Sequence, residues 1–132
     1  MTTVEALLAA KVTVEFDQLS LQEAIAETQK RVTDAHKPRF PFRITISGND
    51  LKLEGITRNQ QIRAFSQRGK SLADVLTALV VQANPVRNVK SPAERNQKLV
   101  WLVVTDKKSI LISTRSAANA RSDKLPEVFR PK

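Results

Sequence analysis

The segment Ser20-Leu-Gln-Glu-Ala-Ile25 decides the fold, because a segment of the same design, Ser71-Leu-Ala-Asp-Val-Leu76, returns later in the chain. Each segment opens with a serine that can cap a helix, and an acidic residue stands three positions after it, as in a capping box. Apolar residues then recur at helical spacing. The two segments therefore predict two amphipathic helices with the same kind of start.

The sequence around the first helix predicts a strand on either side of it. Residues 12–16, Val-Thr-Val-Glu-Phe, and residues 42–46, Phe-Arg-Ile-Thr-Ile, alternate apolar and polar side chains, as half-buried strands do. Between them the helix ends at His36-Lys-Pro38, because proline disfavours a helical residue before it. Residues 48–50 then predict a turn, and residues 51–55 predict a single helical turn closed by glycine.

The second helix is also predicted to follow a strand. Residues 61–67 are the candidate, although their alternation is imperfect, since Ile62 and Ala64 fall on one face and Phe65 falls on the other. The helix itself has a broad apolar stripe and ends at Asn84-Pro85. The second half of the chain thus repeats the plan of the first.

A hairpin closes the predicted domain. Residues 99–104 are apolar on both faces, which suits a strand covered on each side. Asp106-Lys-Lys-Ser109 then reverses the chain into a last strand at residues 110–114. The order β-α-β-β-α-β-β predicts an α+β fold of two β-α-β halves, with two helices packed with small sheets and a C-terminal β-hairpin. Each half alone would expose an apolar stripe, so the halves must share one core.

The length of 132 residues suits one domain. We predict an N-terminal extension at residues 1–11, a single domain at residues 12–115 and a flexible basic tail at residues 116–132. The chain has no cysteine, which excludes disulfides and thiolate zinc sites. No apolar run approaches the roughly 18 residues that a membrane span needs, so we predict no membrane insertion.

The composition is strongly basic. The chain has 22 Lys and Arg against 13 Asp and Glu, a formal net charge of +9, and this balance favours anionic partners. A polar loop at residues 86–98 is predicted to be mobile. If it lies beside the third strand, the two would form a positive patch able to bind phosphates. A basic nucleic-acid- or anion-binding domain is therefore the alternative function. The patch would consist of Arg58, Arg63, Arg68, Lys70, Arg87, Lys90, Arg95 and Lys98.

Recognition of single-stranded nucleic acid usually adds exposed aromatic side chains on which bases stack. Phe65 and Trp101 are the candidates in this chain. Both are predicted to belong to the core, which weakens the alternative function.

One pattern runs through the predicted domain: a strand followed by Leu19-Ser-Leu-Gln-Glu-Ala-Ile25, then Ser71-Leu72 with Leu76 and Leu79, and finally Ile110-Leu-Ile112. Over about residues 12–114 this pattern resembles the short N-terminal domain of secretins and TonB-dependent receptors, called STN-like below. The resemblance implies a binding module that docks on partner proteins in the bacterial cell envelope. It also implies that the domain has no active site.

The chain departs from that family in two places. Asn84-Pro85 and a basic loop to Lys98 separate the second helix from the hairpin, where the family has a close link, and Asp106-Lys-Lys-Ser109 replaces a tight Asp-Gly turn. These departures indicate a divergent copy inside another exported or envelope protein. Residues 1–10 lack the basic start of a signal peptide. We therefore expect a periplasmic or envelope location, with any export signal lying outside this sequence.

Two features imitate chemical sites. His36 is the single histidine and is expected to be a solvated surface residue. Gly69-Lys70-Ser71 imitates the end of a phosphate-binding loop, but Ala64 stands where that loop requires glycine. Ser71 is therefore predicted to be a helix cap and nothing more.

The acidic residues offer no predicted catalytic pair. Glu15 with Asp17, and Glu23 with Glu27, lie on faces predicted to meet water rather than a cleft. We expect no catalytic residue, no cofactor and no metal ligand. The sequence therefore predicts a non-enzymatic protein–protein docking module whose partner it does not name. The doubly apolar strand at residues 99–104 further predicts that a partner or a second copy of the chain covers one sheet face or edge.

Overall fold

The structure, a computed structural model, describes residues 3–104 and 108–130. It confirms an α+β fold in which helices and strands are interleaved. The predicted order β-α-β-β-α-β-β is present, and two short terminal helices and a 3-10 turn are added to it. The helical turn predicted at residues 51–55 is part of a third short helix that begins at Gly48 and also includes residues 48–50, which were predicted to be a turn. In chain order the elements are α1 Val4–Ala9, β1 Lys11–Ser20, α2 Leu21–His36, β2 Arg43–Ile46, α3 Gly48–Leu53, β3 Gln61–Ser71, α4 Leu72–Ala83, β4 Leu99–Val103, β5 Ser109–Thr114, α5 Arg115–Ala120 and the 3-10 turn Glu127–Phe129.

Both repeated segments begin helices as predicted. At α2 the Ser20 hydroxyl accepts the N–H of Glu23 at 3.1 Å, and the Glu23 carboxylate accepts the N–H of Ser20 at 3.1 Å, so the capping box is complete. The hydrogen bond from the Ser20 backbone lowers the pKa of Glu23. At α4 the Ser71 hydroxyl accepts the N–H of Asp74 at 3.1 Å. The serine caps therefore set where both helices begin.

The strands β1 and β3 form a two-stranded antiparallel ribbon. The two halves of the chain interlock at its ends. The N–H of Leu21, the first residue of α2, donates to the carbonyl of Gln60 at 2.8 Å, and the N–H of Leu72, the first residue of α4, donates to the carbonyl of Ala10 at 3.0 Å. The first residue of α2 therefore bonds to the residue before β3, and the first residue of α4 bonds to the residue before β1.

The other three strands form a sheet in the order β2-β5-β4. β2 runs parallel to β5, and β4 runs antiparallel to β5, with Trp101 opposite Ile112. The helices α2 and α4 contact each other, and each also packs against the ribbon and against the sheet. The two halves therefore share one core, as the exposed stripe of each helix requires.

Both chain ends belong to this core, which corrects the predicted boundaries. Within the predicted extension 1–11, α1 buries Val4 and Leu7 completely. The predicted flexible tail 116–132 is packed as far as residue 130, and the side chain of Phe129 is fully buried. Phe129 lies among charged and proline residues, so no periodic pattern marks it in the sequence. Val4, Leu7 and Leu8 do have helical spacing, but over little more than one turn, which is too short to predict a helix.

The doubly apolar strand β4 is covered by the chain itself. On α4, the Thr77 hydroxyl accepts the indole N–H of Trp101 at 3.0 Å. Phe129 packs edge to face on the Trp101 ring, with centroids 6.1 Å apart. The buried face of this strand therefore needs no partner or second copy, because the C-terminal segment and α4 cover it. The outer edge of β4 is paired with no strand of the described chain, so the edge part of the prediction stays a prediction.

A left-handed residue resets the side-chain alternation of β3. Ala64 has φ +53°, and Ile62 and Phe65 on its two sides are both buried. In a regular strand, residues three positions apart point to opposite faces. The kink at Ala64 therefore explains the imperfect pattern, and the prediction that Phe65 faces away from the side of Ile62 is wrong.

The predicted turn Asp106-Lys-Lys-Ser109 lies mostly outside the described residues. The strands on either side of it are joined by a hydrogen bond from the N–H of Val104 to the carbonyl of Ser109 at 3.0 Å. The predicted hairpin of β4 and β5 is confirmed by their antiparallel pairing.

Candidate docking surface

The ribbon has two unpaired edges. Its strands contain 10 and 11 residues, and no third strand of the described chain joins either of them. Unpaired N–H and C=O groups along such an edge are a template for another strand. Val12, Val14 and Phe65 bury one face of the ribbon in the core, while its other face is exposed. The core therefore holds the ribbon by one face, while no described strand pairs with either of its edges.

A groove of about 460 Å³ lies beside the start of β1. Residues 11–13 of β1 line one wall, and Arg31, Asp34 and Ala35 of the last turns of α2 line another. A strand edge facing a helix across a groove gives an extended peptide both a backbone to pair with and side chains to contact. The groove is therefore the place on the ribbon that is best shaped for a ligand segment.

His36 connects the two walls of this groove. It is the last residue of α2, and its Nε2 donates to the carbonyl of Lys11 at 2.7 Å. The side chain is partly buried, so the prediction of a fully solvated residue is only partly right. Among the described residues no group of three His, Cys, Asp or Glu side chains is arranged to hold a metal ion.

Gly69-Lys70-Ser71 serves the backbone of the ribbon. β3 carries one extra residue between its pairings with Val12 and Val14, which makes a β-bulge. Gly69 takes the left-handed conformation that this bulge requires, with φ +57°, and its N–H donates to the Thr13 hydroxyl at 3.0 Å. The prediction that Ser71 is a helix cap is confirmed, and Gly69 has a structural reason of its own.

The predicted acid pairs lie on the surface, each in contact with a basic partner or a cap. Glu15 accepts from Arg68 at 2.9 Å, and this bond, with a second from Ser66, lowers the pKa of Glu15. Glu27 pairs with Arg31 one turn further along α2 at 2.8 Å. Exposed pairs of this kind contribute little to stability. They organise the ribbon's exposed face and the outer face of α2.

The eight basic residues of the predicted patch are divided between separate places. Lys70 precedes α4 and Arg87 follows it, and a helix of 12 residues is about 18 Å long. Arg68 and Lys70, at the end of β3, therefore lie at the opposite end of α4 from the start of the loop. The start of β3 lies nearer to the loop, because the side-chain amide of Gln60 donates to the carbonyl of Ala83, the last residue of α4, at 3.1 Å. Arg58 turns away to the end of β2, where it donates to the carbonyl of Ile46 at 3.3 Å.

The remaining basic residues of the predicted patch lie at the surface. Arg87 donates to the carbonyl of Gln82 at 3.2 Å. Phe65 and Trp101, the candidates for stacking on bases, are both buried, as predicted. Exposed members without a described side-chain partner are Arg63, Lys70, Lys90 and Arg95.

The loop at residues 86–98 is irregular but anchored, which corrects the prediction that it is mobile. Asn84 is buried and bonds to both ends of the loop. The side-chain amide of Asn84 donates to the carbonyls of Val86 and Asn96 at 3.0 Å each. Its side-chain oxygen accepts the N–H of Lys98 at 2.8 Å. Within the loop the Glu94 carboxylate accepts the N–H of Ser91 at 2.7 Å. These hydrogen bonds therefore anchor the loop between the end of α4 and the start of β4.

Arg115 was not singled out by the sequence, yet it joins three segments. Its buried guanidinium donates to the carbonyls of Gln97 at 3.2 Å, Phe129 at 2.6 Å and Pro92 at 2.8 Å. Burial lowers the pKa of Arg115. No carboxylate lies within ion-pair distance of it in the described part of the chain. Nothing in Thr114-Arg115-Ser116 signals this role.

Asp50 is a second buried charge that the sequence did not mark. Its carboxylate accepts from the Ser113 hydroxyl at 2.6 Å and pairs with Arg121 at 3.0 Å. Burial raises the pKa of Asp50, but hydrogen bonds from Ser113, Arg121 and Ser47 outweigh it and lower that pKa overall. The cluster ties α3 and β5 to the C-terminal segment.

Over the described residues, no helix combines the length and the apolar character needed to cross a membrane. Comparison of the chain with protein-family models, with curated proteins and with solved structures finds no match.

Proposed function

We propose that this chain is a non-enzymatic protein-docking module, and that a partner protein binds by adding an extended segment to the outer edge of β1. The observation that carries the proposal is the edge of β1, with which no described strand pairs, beside the groove of about 460 Å³. The Lys11 carbonyl at the start of this edge is bound by His36, so an added strand would pair with the residues that follow it. Main-chain hydrogen bonds would supply affinity, and the groove would select side chains.

The edge of β1 is favoured over that of β3 by its regularity. β3 contains two left-handed residues, Ala64 at φ +53° and Gly69 at φ +57°, and a bulge. Bulges and charged side chains protect an edge from unwanted pairing. β1 has no left-handed residue, so its edge suits a straight incoming strand.

The groove offers both signs of charge to such a strand. Lys11 and Arg31 bring positive charge, Asp34 brings negative charge, and Val12 and Ala35 provide small apolar contacts. The occupant that fits is an extended segment in which small apolar and charged residues alternate. The resemblance to STN-like domains supports the same function and suggests a partner in the bacterial cell envelope, which we include in the proposal.

Site-specific photo-crosslinking in the native cell tests the proposal. A photoreactive amino acid at Ala35, an exposed residue lining the groove, should yield a discrete adduct with one partner protein. The matched control is Leu53, whose side chain is 84% exposed on α3 away from the ribbon. Mass spectrometry of the adduct should place the crosslink in a segment predicted to be extended.

Filling the groove provides the second arm of the test. Ala35→Trp should abolish the adduct formed from a photoreactive residue at Asp34, because its ring would occupy the groove. An adduct of two copies of this chain would identify self-association as the use of the edge. Equal adducts from Leu53 and Ala35, or none from Ala35, would contradict docking at this groove.

A further inference from the structure

A second cavity, of about 500 Å³, shares no residue with the β1–α2 groove. Four basic side chains line it, namely those of Arg95, Arg115, Lys124 and Arg130. Asp123 is the one acidic residue of the lining, and its carboxylate is already paired with Arg121 at 2.9 Å. Among residues 3–104 and 108–130, no carboxylate lies within 4.0 Å of the four basic groups. The cavity therefore carries positive charge that the described chain leaves unbalanced.

Arg115 gives this cavity a fixed donor. Its guanidinium is buried and held by three backbone carbonyls, at 2.6–3.2 Å. A guanidinium has five N–H donors, so two remain after these bonds. Carbonyl groups orient the ion but do not neutralise it, and a buried charge without a counter-ion is costly. The exposed side chains of Arg95, Lys124 and Arg130 stand around a pre-positioned cation.

We infer that this cavity binds the phosphate groups of a small molecule that carries a diphosphate. Phosphoryl oxygens offer several acceptors and more than one negative charge, whereas a carboxylate offers two oxygens and a single charge. Four cations from separate segments match the larger anion. The apolar lining, Ala93 and Leu125, is aliphatic and gives a nucleobase no ring to stack on. Recognition therefore rests on the phosphates, and the cavity volume is in the range of small-molecule sites.

Titration calorimetry with inorganic pyrophosphate at constant ionic strength tests this inference on the full chain. Arg95→Gln and Lys124→Gln should each lower the affinity about tenfold, the loss expected for one charge-assisted hydrogen bond. Neither side chain makes a described hydrogen bond, so both variants should fold normally. Arg63→Gln removes the same charge from the exposed face of β3 and should leave the affinity unchanged.

Two further ligands separate a phosphate site from general attraction. A nucleoside diphosphate should bind about as well as pyrophosphate, and a single-stranded oligonucleotide should bind more weakly and with a steeper dependence on salt. The inference is overturned if millimolar pyrophosphate does not bind. It is also overturned if the three variants lose affinity equally, since that would reflect net charge alone, or if the oligonucleotide alone binds. These results are independent of docking at the β1–α2 groove.

Discussion

The β1–β3 ribbon and the β2-β5-β4 sheet draw strands from the same two halves of the chain, but they end in different surroundings. α4 packs on β4, and Phe129 and Leu8 also reach the Trp101 side of the sheet. The ribbon has only one face in the core. Both the ribbon and the sheet have outer edges with which no described strand pairs, so the difference lies in how their faces are covered. The segments that this chain adds to the two β-α-β halves all cover the sheet.

The buried polar groups follow the same division. Asn84, Gln97, Asp50 and Arg115 are all buried, and they tie the loop, α3 and the C-terminal segment around the sheet. The polar contacts of the ribbon, such as Glu15 with Arg68, are exposed. Buried polar contacts between distant segments are therefore concentrated around the sheet, and we expect substitutions there to cost more stability than matched substitutions on the ribbon.

The largest effect is expected from shortening the aromatic residue that covers the sheet. Phe129→Ala should lower the free energy of unfolding by about 4 kcal/mol, because a fully buried ring is replaced by a cavity. Phe16→Ala is the matched change on the ribbon, where the partly buried ring stacks on Phe65 at 5.1 Å; it should cost about half as much. Urea unfolding measures both. Equal losses would break the comparison.

Removing the buried guanidinium should come next. Arg115→Met keeps most of the side-chain volume but leaves three backbone carbonyls without a donor. We expect a loss of about 3 kcal/mol. We also expect faster amide exchange in residues 86–98, with β1 unchanged. A variant as stable as the parent would show that the loop is held by other contacts.

The pH dependence of stability should report on Asp50. Because its folded-state pKa is lowered, its contribution is present above the unfolded-state pKa of about 4. It is lost as the pH falls below that value toward the folded-state pKa. Asp50→Asn should cost about 2 kcal/mol at neutral pH and should flatten this acid limb of the stability curve. An unchanged acid limb in the variant would assign the pH dependence to other carboxylates.

The smallest effects are expected from the two left-handed residues of β3. Ala64→Gly should stabilise the protein by about 1 kcal/mol, because glycine adopts φ +53° without strain. Gly69→Ala should destabilise it by a similar amount, since φ +57° strains a side chain even though no atom lies within 4 Å of the added Cβ. Thermal unfolding of both variants measures this. Changes of the same sign would show that conformation does not dominate here.

The sequence predicted the elements whose cause is local. Ser20 and Ser71 mark helix starts, and the alternation at residues 12–16 and 42–46 marks strands, because caps and side-chain period depend on near neighbours. Together with the imperfect alternation at residues 61–67 and the hairpin predicted at residues 99–114, these signals predicted the β-α-β-β-α-β-β order that is observed.

What the sequence could not predict depends on contacts between distant segments. Phe129 is buried against the ring of Trp101, which is distant from it in the sequence. Arg115 is held by carbonyls of the loop and the 3-10 turn, and carbonyls have no sequence signature. Within the predicted basic patch, the length of α4 separates Arg68 and Lys70 from the start of the loop, and a separation of this kind is also set by the tertiary fold. Near the candidate groove the sequence singled out His36, which bonds to Lys11, and Gly69, which lines the groove, but neither as part of a binding site. The nearness of β1 to the end of α2 is set by the tertiary fold.

The most direct test of docking on the ribbon is amide hydrogen exchange, measured with and without a synthetic peptide of the partner segment identified by crosslinking. Strand addition should slow exchange at alternate amides of β1, which face the outer edge, and leave the amides of β5 unchanged. Protection confined to the sheet side, or no protection within residues 11–20, would contradict docking at the edge of β1.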